Sequence, residues 1–150
     1  MIITLFSDDN VDTKNIADNL INYHFIDYKL FSFKQNAEDI LFKMFNREKP
    51  KDFIPNENEL KFIENIRNTT PSVPEGLVNN LIENSLSSDI VVYDGKSLKE
   101  AEALYSQGNI NIFILNKNSN TFIVNKDIFE VIVCDDENVV ENILNKIKDR

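Results

Sequence analysis

The sequence has few of the residues on which metal, redox and covalent sites depend. Its 150 residues include one cysteine, one histidine, three glycines and no tryptophan. A lone Cys134 excludes an internal disulfide, and one histidine with one cysteine cannot supply the usual ligand set of a zinc site. We interpret Cys134 as a buried strand thiol and His24 as a partly buried packing residue. The sequence therefore predicts a reduced, intracellular protein with no metal and no cofactor.

Positive charge is also scarce, since the sequence has 16 Lys and Arg but 25 Asp and Glu, which gives a net charge of -9. An acidic surface repels phosphate backbones, so we expect no direct contact with nucleic acid. No apolar run approaches the ~20 residues of a membrane helix. The opening run Met1–Phe6 lacks the basic flank of a signal peptide. We expect no membrane association.

The hydrophobic content of 42% is enough for a core, and it predicts one domain over residues 1–150. Four apolar runs alternate with helical patterns, which is typical of an α/β fold with three layers, a mainly parallel sheet flanked by helices. The runs predicted as inner strands are Met1–Phe6, Asp89–Tyr93, Ile110–Leu115 and Phe129–Val133.

Local signals predict the other elements. Asp12 or Thr13 can cap a first helix, Ser97 and Glu100 form a capping-box pattern, and Gly108 suits a helix end. Two prolines and mixed charges predict a surface loop over Asn46–Asn58. Further patterns predict a strand over Phe25–Phe33, helices at Ala37–Phe45, Leu60–Arg67, Pro74–Ile82 and Val139–Ile147, and a short strand at Thr121–Val124.

The loop after the first strand matters most, because open α/β sheets bind ligands at the carboxyl ends of their strands. Here it extends from Ser7 to Lys14, and Ala17-Asp18 follows. The helix that begins there resembles the first helix of the deoxynucleoside monophosphate kinases of T-even phages and their relatives. In that family a Gly-x-x-x-x-Gly-Lys-Asp loop precedes a helix with the pattern Thr-x-Ala-Asp.

Three later stretches resemble the same family in the same order. Asp89–Asp94 with Lys96 is similar to a strand ending in Asp-x-Arg. Lys99–Leu104 with Gly108 is similar to the following helix, and Phe129–Lys148 to the last strand and helix. The resemblance implies a P-loop nucleotide-kinase fold.

The phosphate-binding loop itself departs from the family. Ser7 and Asp12 stand at its two glycine positions, Thr13 stands at its lysine, and Lys14 comes one position late. Glycines let backbone N–H groups converge on phosphates, and the lysine meets their charge. Lys61 and Phe62 stand where the family has a pair of lid arginines. We therefore expect a degenerate phosphate loop at Ser7, Asp12, Thr13 and Lys14, and no catalytic residue.

Asp94 and Lys96 are the remaining candidates for a residual site, as a softened Asp-x-Arg. The alternative, which we favour, is that Asp94 ends a strand and starts a turn while Lys96 is solvated. Asp8, Asp9 and Asp12 could attract a hard cation, but their spacing lacks the glycine and glutamate of an EF-hand loop. We interpret them as a solvated acidic turn.

The resemblance, together with the lost loop, implies a catalytically inactive nucleotide-kinase-like protein. Its role would be that of a protein-interaction or structural module of a phage or virus. The expected partner is another protein, such as a virion or assembly component, in the host cytoplasm or the virion. Two alternatives stay open: a residual deoxynucleoside monophosphate kinase, and a nucleotide-binding regulatory subunit of an active kinase.

Overall fold

The computed structural model describes residues 1–8, 11–25, 27–44, 46–61, 63, 89–116, 125–134 and 138–148. Its strands are β1 (Ile2–Ser7), β2 (Lys29–Phe31), β3 (Ile90–Gly95), β4 (Ile110–Asn116) and β5 (Glu130–Cys134). Its helices are α1 (Thr13–Tyr23), α2 (Phe33–Met44), α3 (Leu98–Ser106) and α4 (Val139–Lys148). Residues 57–61 and 63 are helical as well.

The five strands within the described residues form one sheet in the order β2-β3-β1-β4-β5, and every neighbouring pair is parallel. β1 lies at the centre of the described strands, and its apolar residues Ile2, Ile3, Leu5 and Phe6 are all buried, which suits a strand covered on both faces. The α/β class predicted from the sequence is confirmed.

Two strand predictions need correction. The run Phe129–Val133 was expected inside the sheet, but β5 lies at one end of the sheet that the described strands form, and Val133 is 54% exposed. The strand expected over Phe25–Phe33 is shorter and covers only Lys29–Phe31, because Phe33 already begins α2. Apolar content alone does not distinguish an edge strand from a central one.

Helices cover both faces of the sheet. The α1 face is the side on which strand residues such as Ile3, Leu5 and Ile112 pack against α1 and α4 in one buried cluster. The α2 face is the opposite side. There Ile2, Ile90 and Val92 pack against Phe33 of α2 and Leu104 of α3, while a second cluster forms around Phe6 and Phe113. These two faces follow from the alternation of side chains along each strand.

The helix ends follow the predicted local signals. Asp12 caps α1, Ser97 and Glu100 form the capping box of α3, and Gly108 follows α3 with a φ of 79°. A positive φ at this position favours glycine. Within the described ranges, none of the helices has the length and apolar character that crossing a membrane requires.

The segment after α2 forms the expected loop, since residues 46–56 contain no helix or strand, although Asn58 belongs to the helical residues that follow. Lys49 holds this loop against α2 through Asp39 at 2.8 Å and Glu38 at 3.6 Å. Phe53 packs on Phe42 with ring centroids 4.8 Å apart. The loop is therefore bound to the outer side of α2.

Other predictions have mixed outcomes. Leu60 and Ile63 are helical as expected, and α4 covers the predicted terminal helix. His24, expected to be partly buried, is exposed at the end of α1, while Cys134 is half-buried against the α1-face cluster. Phe45, Ile66-Arg67, Pro74–Ile82 and Thr121–Val124 lie outside the described residues.

Candidate functional site

The carboxyl ends of β1, β3 and β4 form the candidate site. β1 lies between β3 and β4 in the sheet. The chain leaves β1 toward β2 at one end of the sheet and leaves β4 toward β5 at the other end. Connections that diverge in this way open a crevice at the carboxyl edge, which is where open α/β sheets bind their ligands.

The predicted phosphate-loop positions lie in one strand–loop–helix connection. Ser7 is the last residue of β1, Thr13 is the first residue of α1, and Lys14 follows with an exposed side chain. Asp8 Oδ1 accepts a hydrogen bond from the Asn116 N–H at 2.8 Å. That bond ties the start of the loop to the end of β4 across the divergent point of the sheet.

Asp12 closes the other end of the loop. Its Oδ1 accepts a hydrogen bond from the Asn15 N–H at 3.1 Å and so caps α1. The free N–H groups at a helix N-terminus are what bind phosphate in nucleotide sites of this architecture. In this chain the Asp12 carboxylate already accepts a hydrogen bond from one of those N–H groups, and it places a negative charge at the same end of the helix.

Asp94 is directed toward α2 by an irregularity in β3. Thr4 pairs with Val92 and Phe6 with Gly95, so two residues of β3 oppose the single Leu5 of β1. A bulge of this kind bends the strand and re-aims its side chains.

The Asp94 carboxylate is engaged by the first turn of α2. It accepts hydrogen bonds from Ser32 Oγ at 2.7 Å, the Phe33 N–H at 2.7 Å and the Lys34 N–H at 3.0 Å. Ser32 Oγ in turn accepts from the Gln35 N–H at 3.1 Å. Asp94 therefore does more than end a strand and start a turn, because it fixes a helix that begins about 60 residues earlier.

A sequence signal existed for only part of this arrangement. Ser32 followed three residues later by Gln35 is a capping-box pattern, and it marks the start of α2. Nothing local connects Ser32 to Asp94, since the hydrogen bond spans 62 residues of sequence.

The connection from β3 to α3 also has a carboxylate that caps the helix, as the starts of α1 and α2 do. Glu100 Oε1 accepts from the Lys96 N–H at 3.1 Å and from the Ser97 N–H at 2.9 Å. Glu100 has no exposed surface, whereas the side chain of Lys96 is exposed. The backbone of Lys96 thus belongs to the cap of α3.

These three connections share one electrostatic feature. Asp12, Asp94 and Glu100 each place a carboxylate at the N-terminus of a helix near the carboxyl edge of the sheet. Helix N-termini favour negative charge, and here the protein supplies it. Within the described ranges, which leave out Asp9, no three metal-ligating side chains form a group that could hold an ion.

Among the described residues, the two groups with displaced pKa values lie away from the carboxyl edge. Burial raises the pKa of the Tyr28 hydroxyl, and the nearby charge of Asp89 raises it further. The Asp39 carboxylate, through its hydrogen bond, raises the pKa of the Lys49 ammonium above its ordinary value of 10.5. Tyr28 precedes β2 at the amino edge of the sheet, and Lys49 lies in the loop on the outer side of α2, so neither adds an acid or base to the carboxyl edge.

Comparison with models of protein families gives no match, and neither does comparison with curated proteins.

Proposed function

We propose that this chain is a catalytically inactive protein with a nucleotide-kinase-like fold, and that it works by binding another protein. The observation that carries the proposal is the cap on α1. Asp12 occupies the helix N-terminus next to the central strand, where a nucleotide-binding protein of this architecture places phosphate.

A nucleotide would meet several unfavourable features at this loop. Its phosphates would have to displace Asp12, which caps α1, and would lie near Asp8, which is bonded to Asn116. The absent lysine contact and the added carboxylate repulsion should each cost on the order of 1–3 kcal/mol. A micromolar site would then weaken toward millimolar, since ~1.4 kcal/mol is a factor of ten.

The arrangement of Asp94 supports the same interpretation. A carboxylate that serves phosphoryl transfer must be open to substrate or to its metal ion. Asp94 instead receives three hydrogen bonds from the first turn of α2 and its cap. We infer that Asp94 has a structural role, and that Lys96 alone does not constitute a residual site.

The positive half of the proposal concerns the partner. A fold that has lost its ligand site can persist as a scaffold for protein contacts. The family resemblance points to a phage or virus, so the proposed partner is a virion or assembly protein, met in the host cytoplasm or in the virion. The net charge of -9 argues against nucleic acid as the partner.

Isothermal titration of the purified chain with Mg²⁺-ATP, and separately with deoxynucleoside monophosphates, tests the inactive half. We expect no saturable heat of binding and no phosphoryl transfer. A dissociation constant below about 50 micromolar, or about 6 kcal/mol of binding, would overturn the proposal in favour of a residual kinase.

A restored loop provides the matched control. The variant Ser7→Gly, Asp12→Gly, Thr13→Lys removes the cap carboxylate and returns the glycines and lysine. We expect it to bind Mg²⁺-ATP more tightly than the natural chain, without turnover, because the lid arginines are still missing. Equal and negligible binding by both proteins would mean that the loop is not what prevents nucleotide binding.

The partner class requires a separate measurement. Purified virion and assembly proteins encoded with this chain, and an active deoxynucleoside monophosphate kinase from the same source, can be titrated against it by light scattering. Complex formation with a structural protein supports the proposal. Binding to the kinase alone, with a change in its rate, would favour the regulatory subunit.

A further inference from the structure

Two polar side chains lie at the centre of the α2 face. Thr4 of β1 and Asn111 of β4 are direct neighbours in the parallel register, and neither has any exposed surface. One apolar cluster containing Ile2 and Val92 lies on one side of them, and the cluster of Phe6 with Phe113 lies on the other. The pair therefore separates the two apolar clusters.

The orientation of the Asn111 amide is fixed by two backbone carbonyls. Its Nδ2 donates to the Ala101 carbonyl at 2.7 Å and to the Ile128 carbonyl at 3.3 Å. A flipped amide would turn its oxygen toward both carbonyl oxygens, so Nδ2 must face them. Asn111 Oδ1 consequently points away from α3 and from the turn before β5.

Two oxygens are left without a partner. Among the described residues, neither Asn111 Oδ1 nor Thr4 Oγ1 receives or donates a hydrogen bond. Nearly all buried polar atoms in folded proteins have a partner, either in the protein or in an ordered water. The two atoms are complementary, because the hydroxyl can donate and accept while the amide oxygen accepts.

The spacing of the strands indicates what joins them. Neighbouring strands lie about 4.8 Å apart, and side chains at paired positions leave the sheet side by side. One water making two hydrogen bonds of about 2.8 Å each spans such a gap. We propose that a single buried water binds between the Thr4 hydroxyl and the Asn111 side-chain carbonyl. The water donates one hydrogen bond to Asn111 Oδ1. With the Thr4 hydroxyl it either accepts or donates the other.

This site has a defined structural consequence. Through Asn111 the water is connected to α3 at Ala101 and to the turn that leads into β5 at Ile128. Through Thr4 it is connected to the central strand. The water thus joins four segments at a point where the two apolar clusters do not meet.

Solution NMR of the natural chain tests the site directly. We expect cross-relaxation between a long-lived water and the Asn111 side-chain amide protons or the Thr4 hydroxyl. The methyl groups of Ile112, equally buried on the α1 face next to Asn111 in β4, are the internal control and should show none. A Thr4 hydroxyl proton that contacts Asn111 but no water would replace the proposal with a direct hydrogen bond.

A variant supplies a second, independent readout. Thr4→Val keeps the side-chain shape and removes the hydroxyl, so the water loses one of its two partners. We expect the Asn111 water signal to disappear and the equilibrium constant for unfolding to rise about tenfold. If Thr4→Val does not change the Asn111 amide signals and makes the protein as stable as before or more so, there is no bridging water. Should the variant fail to fold, the measurement on the natural chain still decides the question.

Discussion

The two faces of the sheet are built by the same strands but are organised differently. On the α1 face, aliphatic side chains from β1, β3, β4 and β5 form one buried cluster with α1 and α4. On the α2 face the core is divided in two, and Thr4 and Asn111 lie between the parts. The α2 face instead uses polar contacts, such as Asn111 to Ala101 and Asp94 to the start of α2. The helices on the α1 face are thus held by apolar area, and the α2 and α3 helices are also held by hydrogen bonds at specific points.

The largest effect should come from the α1 face. Leu5 has no exposed surface and belongs to its single cluster, so Leu5→Ala removes apolar contacts and leaves a cavity. We expect a loss of about 2–5 kcal/mol in the free energy of unfolding, measured by urea denaturation. Ile54→Ala is the control, since Ile54 is 86% exposed and should change stability by less than about 0.5 kcal/mol. Similar losses from the two variants would contradict the assignment of the core.

The second-largest loss of stability is expected from Gly95→Ala, which tests how closely the α2 face is packed. A Cβ at Gly95 would lie 2.7 Å from Phe6 Cε1 and 2.8 Å from Thr4 Cγ2. We expect Gly95→Ala to cost about 1–3 kcal/mol through overpacking.

Gly108→Ala is the matched control for Gly95→Ala. Gly108 has a φ of 79°, and a Cβ added there would have no neighbour within 4 Å. The variant therefore reports backbone strain without crowding, at about 1 kcal/mol. A crystal structure of Gly95→Ala should show Phe6 displaced. If Gly108→Ala lowered the free energy of unfolding more than Gly95→Ala does, the α2 face would be loosely enough packed to accommodate an added methyl group.

A third variant compares two carboxylate caps. Both oxygens of Asp94 accept hydrogen bonds from the start of α2, whereas Asp12 accepts with one oxygen at the start of α1. Asp94→Asn turns one oxygen into a donor facing other donors, and we expect a loss of about 1–2 kcal/mol. Asp12→Asn should change little, because asparagine caps helices as well as aspartate does.

Amide exchange provides the local readout for these caps. The Phe33 and Lys34 amides should exchange faster in Asp94→Asn, and the Asn15 amide should be nearly unchanged in Asp12→Asn. If both variants accelerated amide exchange equally at the start of their helices, the two caps would not differ in strength, and the helix ends of the two faces would be alike.

The smallest effect concerns the loop on the outer side of α2. Lys49→Met keeps the apolar stem but removes the ammonium that pairs with Asp39 and Glu38. We expect a loss of up to about 1 kcal/mol. Because the pKa of Lys49 is raised above 10.5 in the folded protein, its contribution is present at neutral pH and is lost only as the pH rises through that raised value. The stability difference between variant and natural chain should therefore vanish only in alkali, and a difference that vanished near neutral pH would exclude this ion pair as its cause.

Much of the architecture was predictable from the sequence because its signals are local. β1, β3 and β4 follow from short apolar runs, and α3 follows from the Ser97–Glu100 box with Gly108 after it. A strand period or a helix cap is set by residues within a few positions of one another. The order of the strands has no such local signal, which is why β5 was expected inside the sheet.

The candidate site was predictable only in composition. The acidic character of the β1–α1 loop is visible in the sequence, but the hydrogen bond that Asp8 accepts from the Asn116 N–H spans 108 residues. The role of Asp94 depends on a bulge in β3 that no composition rule reveals. Long-range pairs of this kind follow from the fold, so the sequence alone assigns Asp94 to a turn.

The position of β1 at the centre of the sheet also determines how the chain can assemble. Its neighbours are β3, paired from Ile90 onward, and β4, paired from Ile110 onward, while only β4 and β5 are close in sequence. Closing such long loops before any strand contact forms makes folding slow. During synthesis the apolar residues of β1 have no neighbouring strand to pair with until β3 has been made, since Ile2 pairs with Ile90. The nascent chain is therefore most exposed to aggregation through the very strand that ends up best protected.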